Sequence, residues 1–366
     1  MATATVLADR SCGKATLLPT DAERSDGGSA AATCGVGPLL ITAGAALFAC
    51  TNAASTAYFR NGGTVVTLYL IRCIVVWPVN GALVAAKEGP QAATRVLLLR
   101  TGRGATTRVI LFRSLVFSVM SLFMCFGYLL LTFNDAFTVM KGTDMLTAVL
   151  ITRFCMGRSE RLSPRELACG VLTLAGIALI AQPPLLFDAL RLADGSEPPV
   201  PPPSAAGLAC VVVAGALGAS VGVLTRVLSQ AGGPHDGHAS PQMQLSCLMV
   251  AMFVFFCGLG IAGGATGLVD SSPFWEWSGL VQPRGCYDWI VIGLHCAFVL
   301  SAQLCFSFGY RTTRAGIAAF LQLTELAWVY VLDSCVLGEP TSFFATLGTA
   351  LVFCSAIAAV RSDTKK

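Results

Sequence analysis

Ten apolar blocks, each long enough to cross a bilayer, recur between residues 38 and 360 of this sequence. A membrane-spanning helix takes about 20 apolar residues, because it rises 1.5 Å per residue through a hydrocarbon core about 30 Å thick. The blocks run over 38–59, 64–86, 107–130, 136–156, 166–186, 206–228, 242–265, 287–309, 315–337 and 341–360. A soluble domain cannot cover that much apolar surface. Charged residues are only 12% of the chain, against about 25% in soluble domains, and the mean hydropathy is +0.71. The expected fold is therefore an all-α membrane protein with ten transmembrane helices, since a helix satisfies its own backbone polar groups in lipid.

The connections carry the orientation. With the N-terminus in the cytosol, seventeen lysines and arginines fall on inside segments, and only Arg60, Arg191 and Arg284 fall outside. That asymmetry alternates across all ten spans and predicts both termini on the cytosolic side, in a plasma or an internal membrane. Trp275, Trp277 and Trp289 fall at outer span ends, where aromatic anchors belong. Residues 1–37 are polar, mix both charge signs, lack the early apolar core of a secretory signal, and read as a disordered cytosolic tail. Two connections are long: 87–106, and 187–205 with its stiff EPPVPPPS, which leaves five spans on either side. The net charge of +4 is too small to imply nucleic acid. The cysteines are scattered in apolar runs without a CxxC, and read as small apolar fillers.

The two halves resemble each other. DAFTVMKGTDMLTAVLITRFCMGRSERLSP (135–164) aligns without a gap to RAGIAAFLQLTELAWVYVLDSCVLGEPTS (314–342), pairing Ala136 with Ala315 and Glu160 with Glu339. Each glutamate precedes a Ser/Thr/Pro turn and a helix of small residues. An odd number of spans per half makes the halves insert in opposite senses, the inverted-repeat plan of secondary transporters. The D-A start, the R-L-S turn, the glycine-containing helix and the ending LIAQPPLLF resemble the EamA-type repeat of the drug/metabolite transporter superfamily. LLLRTGRG (97–104) and LIAQPPLLF (179–187) are most similar to group-G-like members of solute carrier family 35. The resemblance covers most of 64–186 and about 295–360. It implies two inverted five-helix repeats, 38–186 and 206–361, around a central cavity, with spans five and ten peripheral, and transport of small metabolites by alternating access. The chain departs from that pattern at Asp144, where a proline is common, and at Lys141, where a small or polar residue is, so no substrate carries over.

Charged residues inside the spans are the candidate site. An ionised side chain at the bilayer centre costs about 2.5–3.5 kcal/mol on insertion scales, so each needs a partner or a wet cavity. At 1.5 Å per residue, Arg72 lies ~12 Å into span two, Lys141 ~8 Å and Asp144 ~12 Å from the outer end of span four, and Glu325 ~15 Å into span nine. Lys141 and Asp144, at i and i+3, share a helical face that permits a direct pair. Spans four and nine are repeat equivalents, which brings Glu325 to the same cavity from the other half. Gln303, Gln322, Asn52 and Ser55 add neutral hydrogen-bonding groups. In one reading Lys141, with Arg72, is the cationic pole for an anionic or zwitterionic solute, and Asp144 or Glu325 is counter-ion or proton acceptor. In the other, Lys141–Asp144 and Arg72–Glu325 are ion pairs that fix helix packing. Arg113 and Arg153, near cytosolic span ends, are expected to snorkel outwards.

Other signals are weaker. His235 and His238 in PHDGH fit a solvated turn better than a metal site, and His295 reads as a hydrogen-bonded core residue. Gly218…Gly222 and Gly260…Gly264 permit close helix contact, within the chain or in a homodimer. No phosphate loop, nucleophile elbow or paired metal ligands appear, so neither a cofactor nor an enzyme is expected. The leading expectation is a secondary transporter whose partners are a small-molecule substrate, a coupling proton or exchanged solute, and the lipid bilayer. The alternative is a scaffold or membrane-embedded enzyme that keeps the transporter fold.

Overall fold

The computed structural model describes residues 36–100, 105–131, 133–155, 163–181, 204–231, 240–266, 285–336 and 343–363. The tail 1–35, most of the proline-rich linker, His235, His238, Trp275 and Trp277 lie outside them. The elements among the described residues are all helical. They are α1 (Val36–Arg60), α2 (Val65–Glu88), α3 (Pro90–Leu97), α4 (Ala105–Leu130), α5 (Phe133–Cys155), α6 (Pro164–Ala181), α7 (Ala205–Ala231), α8 (Pro241–Thr266), α9 (Cys286–Thr312), α10 (Ala315–Gln322), α11 (Thr324–Val336) and α12 (Phe343–Asp363).

Seven helical stretches are long and apolar enough to cross a membrane: α1, α2, α4, α7, α8, α9 and the run Ala315–Leu332 through α10 and α11. The protein is accordingly a multi-pass membrane protein. Predicted spans four, five and ten fall on α5, α6 and α12. Of these, α5 carries Lys141 and Asp144 in its interior, α6 is only 18 residues long, and the apolar part of α12 is Thr346–Arg361. Large apolar side chains such as Leu39, Val254, Ile261 and Phe343 are more than half exposed, as a lipid-facing surface requires.

Local sequence starts several of these helices. Ser163 and Ser240 each precede a proline at the first helical position, the preferred order for a cap followed by a residue with no N–H to lose. At α6 a capping box forms: Glu166 Oε2 accepts from Ser163 N at 2.6 Å, and Ser163 Oγ accepts from Glu166 N at 3.3 Å. The long connection 87–106 is not the plain loop expected, because Pro90–Leu97 forms a helix whose Ala93 and Val96 are buried. Span nine is not the continuous helix expected either. It is interrupted at Leu323, where Leu323 N–H and Leu326 N–H make tight i→i−3 bonds and the Thr324 hydroxyl donates to the Leu321 carbonyl at 2.6 Å.

Helices pack in a consistent set of partners: α1 on α9, α4 on α7, α6 on α12, α5 on α7, α2 on α8 and α11 on α1. Small residues permit the closest approaches. A Cβ on Gly176 would lie 2.7 Å from the Gly348 carbonyl oxygen, and Gly348 reciprocally faces the Gly176 carbonyl. A second close approach is Gly37 of α1 against Gly309 of α9. Two apolar clusters hold the bundle at either end of α2: one joins Leu68, Val76, Phe256 and Val291, and the other joins Val84, Ile110, Leu228 and Met243.

Candidate functional site

A cavity runs through the middle of the bundle, walled by α1, α2, α4, α5, α7, α9, α10 and α11. The centre of a water molecule has about 150 Å³ in which to move, room for several waters or one small metabolite. Lys141, Asp144, Arg72, Glu325, Gln303, Gln322 and Asn52, the seven candidates from the sequence, all line it. Among the described residues, none of α6 or α12 lines the wall.

The expected pairings are corrected. Lys141 does not pair with Asp144 on its own helix; its Nζ donates to Glu325 Oε2 of α11 at 2.7 Å. Asn52 Nδ2 of α1 donates to the other oxygen, Oε1, at 2.9 Å, so three helices converge on one carboxylate. Glu325 sits in the first turn of α11, just after the interruption at Leu323, where a helix N-terminus favours negative charge. Lys141 Nζ also lies 5.3 Å from the centre of the Phe137 ring, within cation–π range. Asp144 makes no hydrogen bond or ion pair among the described residues; its carboxylate faces Gly218 of α7 across the cavity, 3.5 Å from where a Cβ would stand.

Arg72 does not reach Glu325. Its guanidinium lies 4.9 Å from the Tyr69 ring centre, Nη2 contacts Met252 Sδ at 3.3 Å, and Nε is buried without a hydrogen-bond partner among the described residues. Arg113 does not snorkel: it is 3% exposed, Nε donates to Thr225 Oγ1 at 2.6 Å, and Nη1 is buried without a hydrogen-bond partner among the described residues. Helix α4 begins at Ala105, so eight residues of rise put Arg113 ~12 Å inside it. Arg153, by contrast, is exposed. His295 is buried as expected, with Nδ1 3.1 Å from the Ser55 hydroxyl, and it also lines the cavity. Among the described residues the wall thus holds three cations (Arg72, Arg113, Lys141) and two carboxylates (Asp144, Glu325), an excess of one positive charge.

Sequence reasoning passed over Tyr310 and Thr225, set Arg113 aside as a snorkelling residue, and read the Gly218…Gly222 face of α7 as a helix contact and not as part of a cavity wall. The signal for that face was present in the spacing Gly215-x-x-Gly218-x-x-x-Gly222, which puts three glycines on one side of a helix. Gly215 lets the α5 backbone approach, as a Cβ there would lie 3.0 Å from Asp144 N. Gly218 and Gly222 leave the cavity open instead. At the α4-start end, Arg226 Nη1 donates to the Tyr310 and Arg311 carbonyls at 2.6 and 2.8 Å, closing the C-terminus of α9. Arg314, at the α9–α10 junction, pairs with the fully buried Glu166 of α6.

No protein-family model matches this sequence, and no curated protein does. The fold is nonetheless shared: one protein of known crystal structure superposes with a TM-score of 0.62 and 14% identity, over 88% of this chain and 96% of its own. At that identity the likeness is one of fold alone.

Proposed function

We propose that this chain is a secondary transporter that moves a small anionic or zwitterionic metabolite by alternating access of two inverted five-helix repeats. The observation that carries the reading is the polar cavity in mid-bundle, lined from both predicted halves and bridged across them by Lys141 and Glu325. A carrier needs such a site, equidistant from both surfaces and held by contacts that a solute can replace. The one-charge excess of cations favours an anion or a zwitterion bound by its acidic group.

The helix partners support the repeat. If α1 corresponds to α7, α2 to α8, α4 to α9, α5 to α10–α11 and α6 to α12, the contact α1 on α9 becomes α7 on α4. Likewise α5 on α7 becomes α11 on α1, while α2 on α8 and α6 on α12 map onto themselves. A two-fold relation between the halves would generate such a set, which supports the repeat. The ten-span count, the EamA-type family and the cytosolic termini belong to the same reading.

The test is uptake by the purified chain in liposomes, screening labelled anionic and zwitterionic metabolites with and without a pH gradient. Lys141→Ala is expected to abolish flux of whichever solute the wild type carries while the variant still inserts. Undiminished flux in that variant overturns the assignment of the site, and absence of flux for every solute overturns the transporter.

A further inference from the structure

Resting on the transport reading of the cavity, we infer that its end farthest from the Lys141–Glu325 pair is a separate oxyanion subsite. Arg113 and Tyr310 form it over the bare Gly218–Gly222 face of α7, and it takes a phosphate or carboxylate group of an elongated substrate.

Helix α7 serves as a ruler. Asp144 stands beside Gly218, the Tyr310 hydroxyl lies 2.8 Å from a Cβ position at Gly222, and Arg113 Nε bonds Thr225. Seven residues of helical rise separate Gly218 from Thr225, so Arg113 is ~10 Å from Asp144 along the cavity. That distance exceeds the reach of one small anionic group, so the two ends act on different parts of a ligand.

The donors at the Arg113 end are set and unspent. Thr225 gives its own hydroxyl proton to the Val221 carbonyl at 2.7 Å, which leaves its oxygen to accept from Arg113 Nε and fixes the fork. Nη1 is then buried with no partner, and Arg113 makes no ion pair among the described residues. A buried guanidinium without a counter-charge is costly. Tyr310, 3% exposed, makes no side-chain hydrogen bond among the described residues, and its hydroxyl points at the glycine face. A fixed guanidinium fork, which has no acceptor of its own, together with a hydroxyl that can donate is an arrangement that binds an oxyanion by charge-assisted hydrogen bonds. A Cβ at Gly222 would lie 2.8 Å from the Tyr310 hydroxyl, so any side chain there would push that donor out of place.

Binding can be read without knowing the substrate. The full-length purified protein is titrated in detergent with inorganic phosphate, and separately with malonate, against chloride at matched ionic strength, and its thermal midpoint is followed. At least one oxyanion is expected to raise the midpoint saturably, and the preference between them identifies the group carried. Arg113→Gln is expected to weaken that apparent affinity about tenfold or more, and Tyr310→Phe less. Arg95→Gln on the exposed face of α3 is expected to leave it unchanged, which separates the subsite from general attraction to basic surface. No saturable shift with either anion overturns the subsite, as does loss of binding in Lys141→Gln with retention in Arg113→Gln. Should Arg113→Gln fail to fold, unchanged affinity in both Tyr310→Phe and Gly222→Ala overturns it. Oxyanion binding at Arg113 without flux in liposomes keeps the subsite and refutes the transporter, whereas flux without that binding refutes the subsite alone.

Discussion

Removing either partner of the Lys141–Glu325 pair should be far more damaging than removing both. The charges are 2.7 Å apart and their side chains are 13% and 4% exposed, so at an effective dielectric of about 20 their attraction is about 6 kcal/mol. Desolvation offsets much of that, but deleting one partner strands the other, which costs about 3–5 kcal/mol in buried pairs. The two deletions are not equivalent here. Lys141→Ala leaves Glu325 and Asp144 as two uncompensated carboxylates on one cavity. Glu325→Ala leaves Lys141 with Asp144 one turn away on the same helix, which should recover about 1 kcal/mol. Equilibrium unfolding in mixed micelles, read by loss of helical signal, ranks the variants. We expect Lys141→Ala to cost more than Glu325→Ala, and the double variant to cost less than either. The resulting coupling energy must then exceed the larger single cost, about 3–5 kcal/mol. Additive single costs, within about 0.5 kcal/mol, would refute the argument, since they would mean the contact carries no energy of its own.

Three further outcomes follow from the packing. Gly348→Ala should lower the thermal midpoint, because a methyl group there meets the Gly176 carbonyl and Ile180 N at 2.9 Å, and overpacking costs about 1–3 kcal/mol; an unchanged midpoint refutes the close crossing of α6 and α12. Glu166→Gln keeps a capping-box side chain but loses the ion pair with Arg314, so it should be milder than Glu166→Ala, which loses both; equal midpoints refute that division. In single-cysteine variants retaining Cys155, Cys286 or Cys335, all exposed, an impermeant maleimide added outside intact cells should label Cys286 and Cys335, and reach Cys155 only after permeabilisation, if the protein resides in the plasma membrane with the proposed orientation. Cys155 labelled first would invert that orientation.

Much of the site was legible because charge in an apolar run is anomalous by itself. Lys141, Asp144, Arg72 and Glu325 needed no fold to be noticed, and all line one cavity. Their partners were not legible. Lys141 and Asp144 are neighbours on one helix, yet Lys141 pairs with a residue 184 positions away, because helix α11 brings Glu325 closer than the turn of α5 brings Asp144. Arg113 was misjudged for a related reason: its distance from a span end was judged from hydropathy, whereas α4 begins two residues earlier than expected and packs on α7, where Thr225 receives the guanidinium. The interruption at Leu323 was hidden because QLTE is compatible with a continuous helix, and only the competition of the Thr324 hydroxyl for the Leu321 carbonyl reveals it.

Membrane class, helical content and the identity of the costly residues follow from the amino-acid order, since hydropathy and backbone satisfaction in lipid act within each segment. Which charge meets which, where a cavity remains, and why Gly218 meets the Asp144 carboxylate and Gly222 the Tyr310 hydroxyl rather than a helix backbone depend on how distant segments pack. Those are properties of pairs of helices, and bilayer solvation, which sets each segment in turn, carries no information about them.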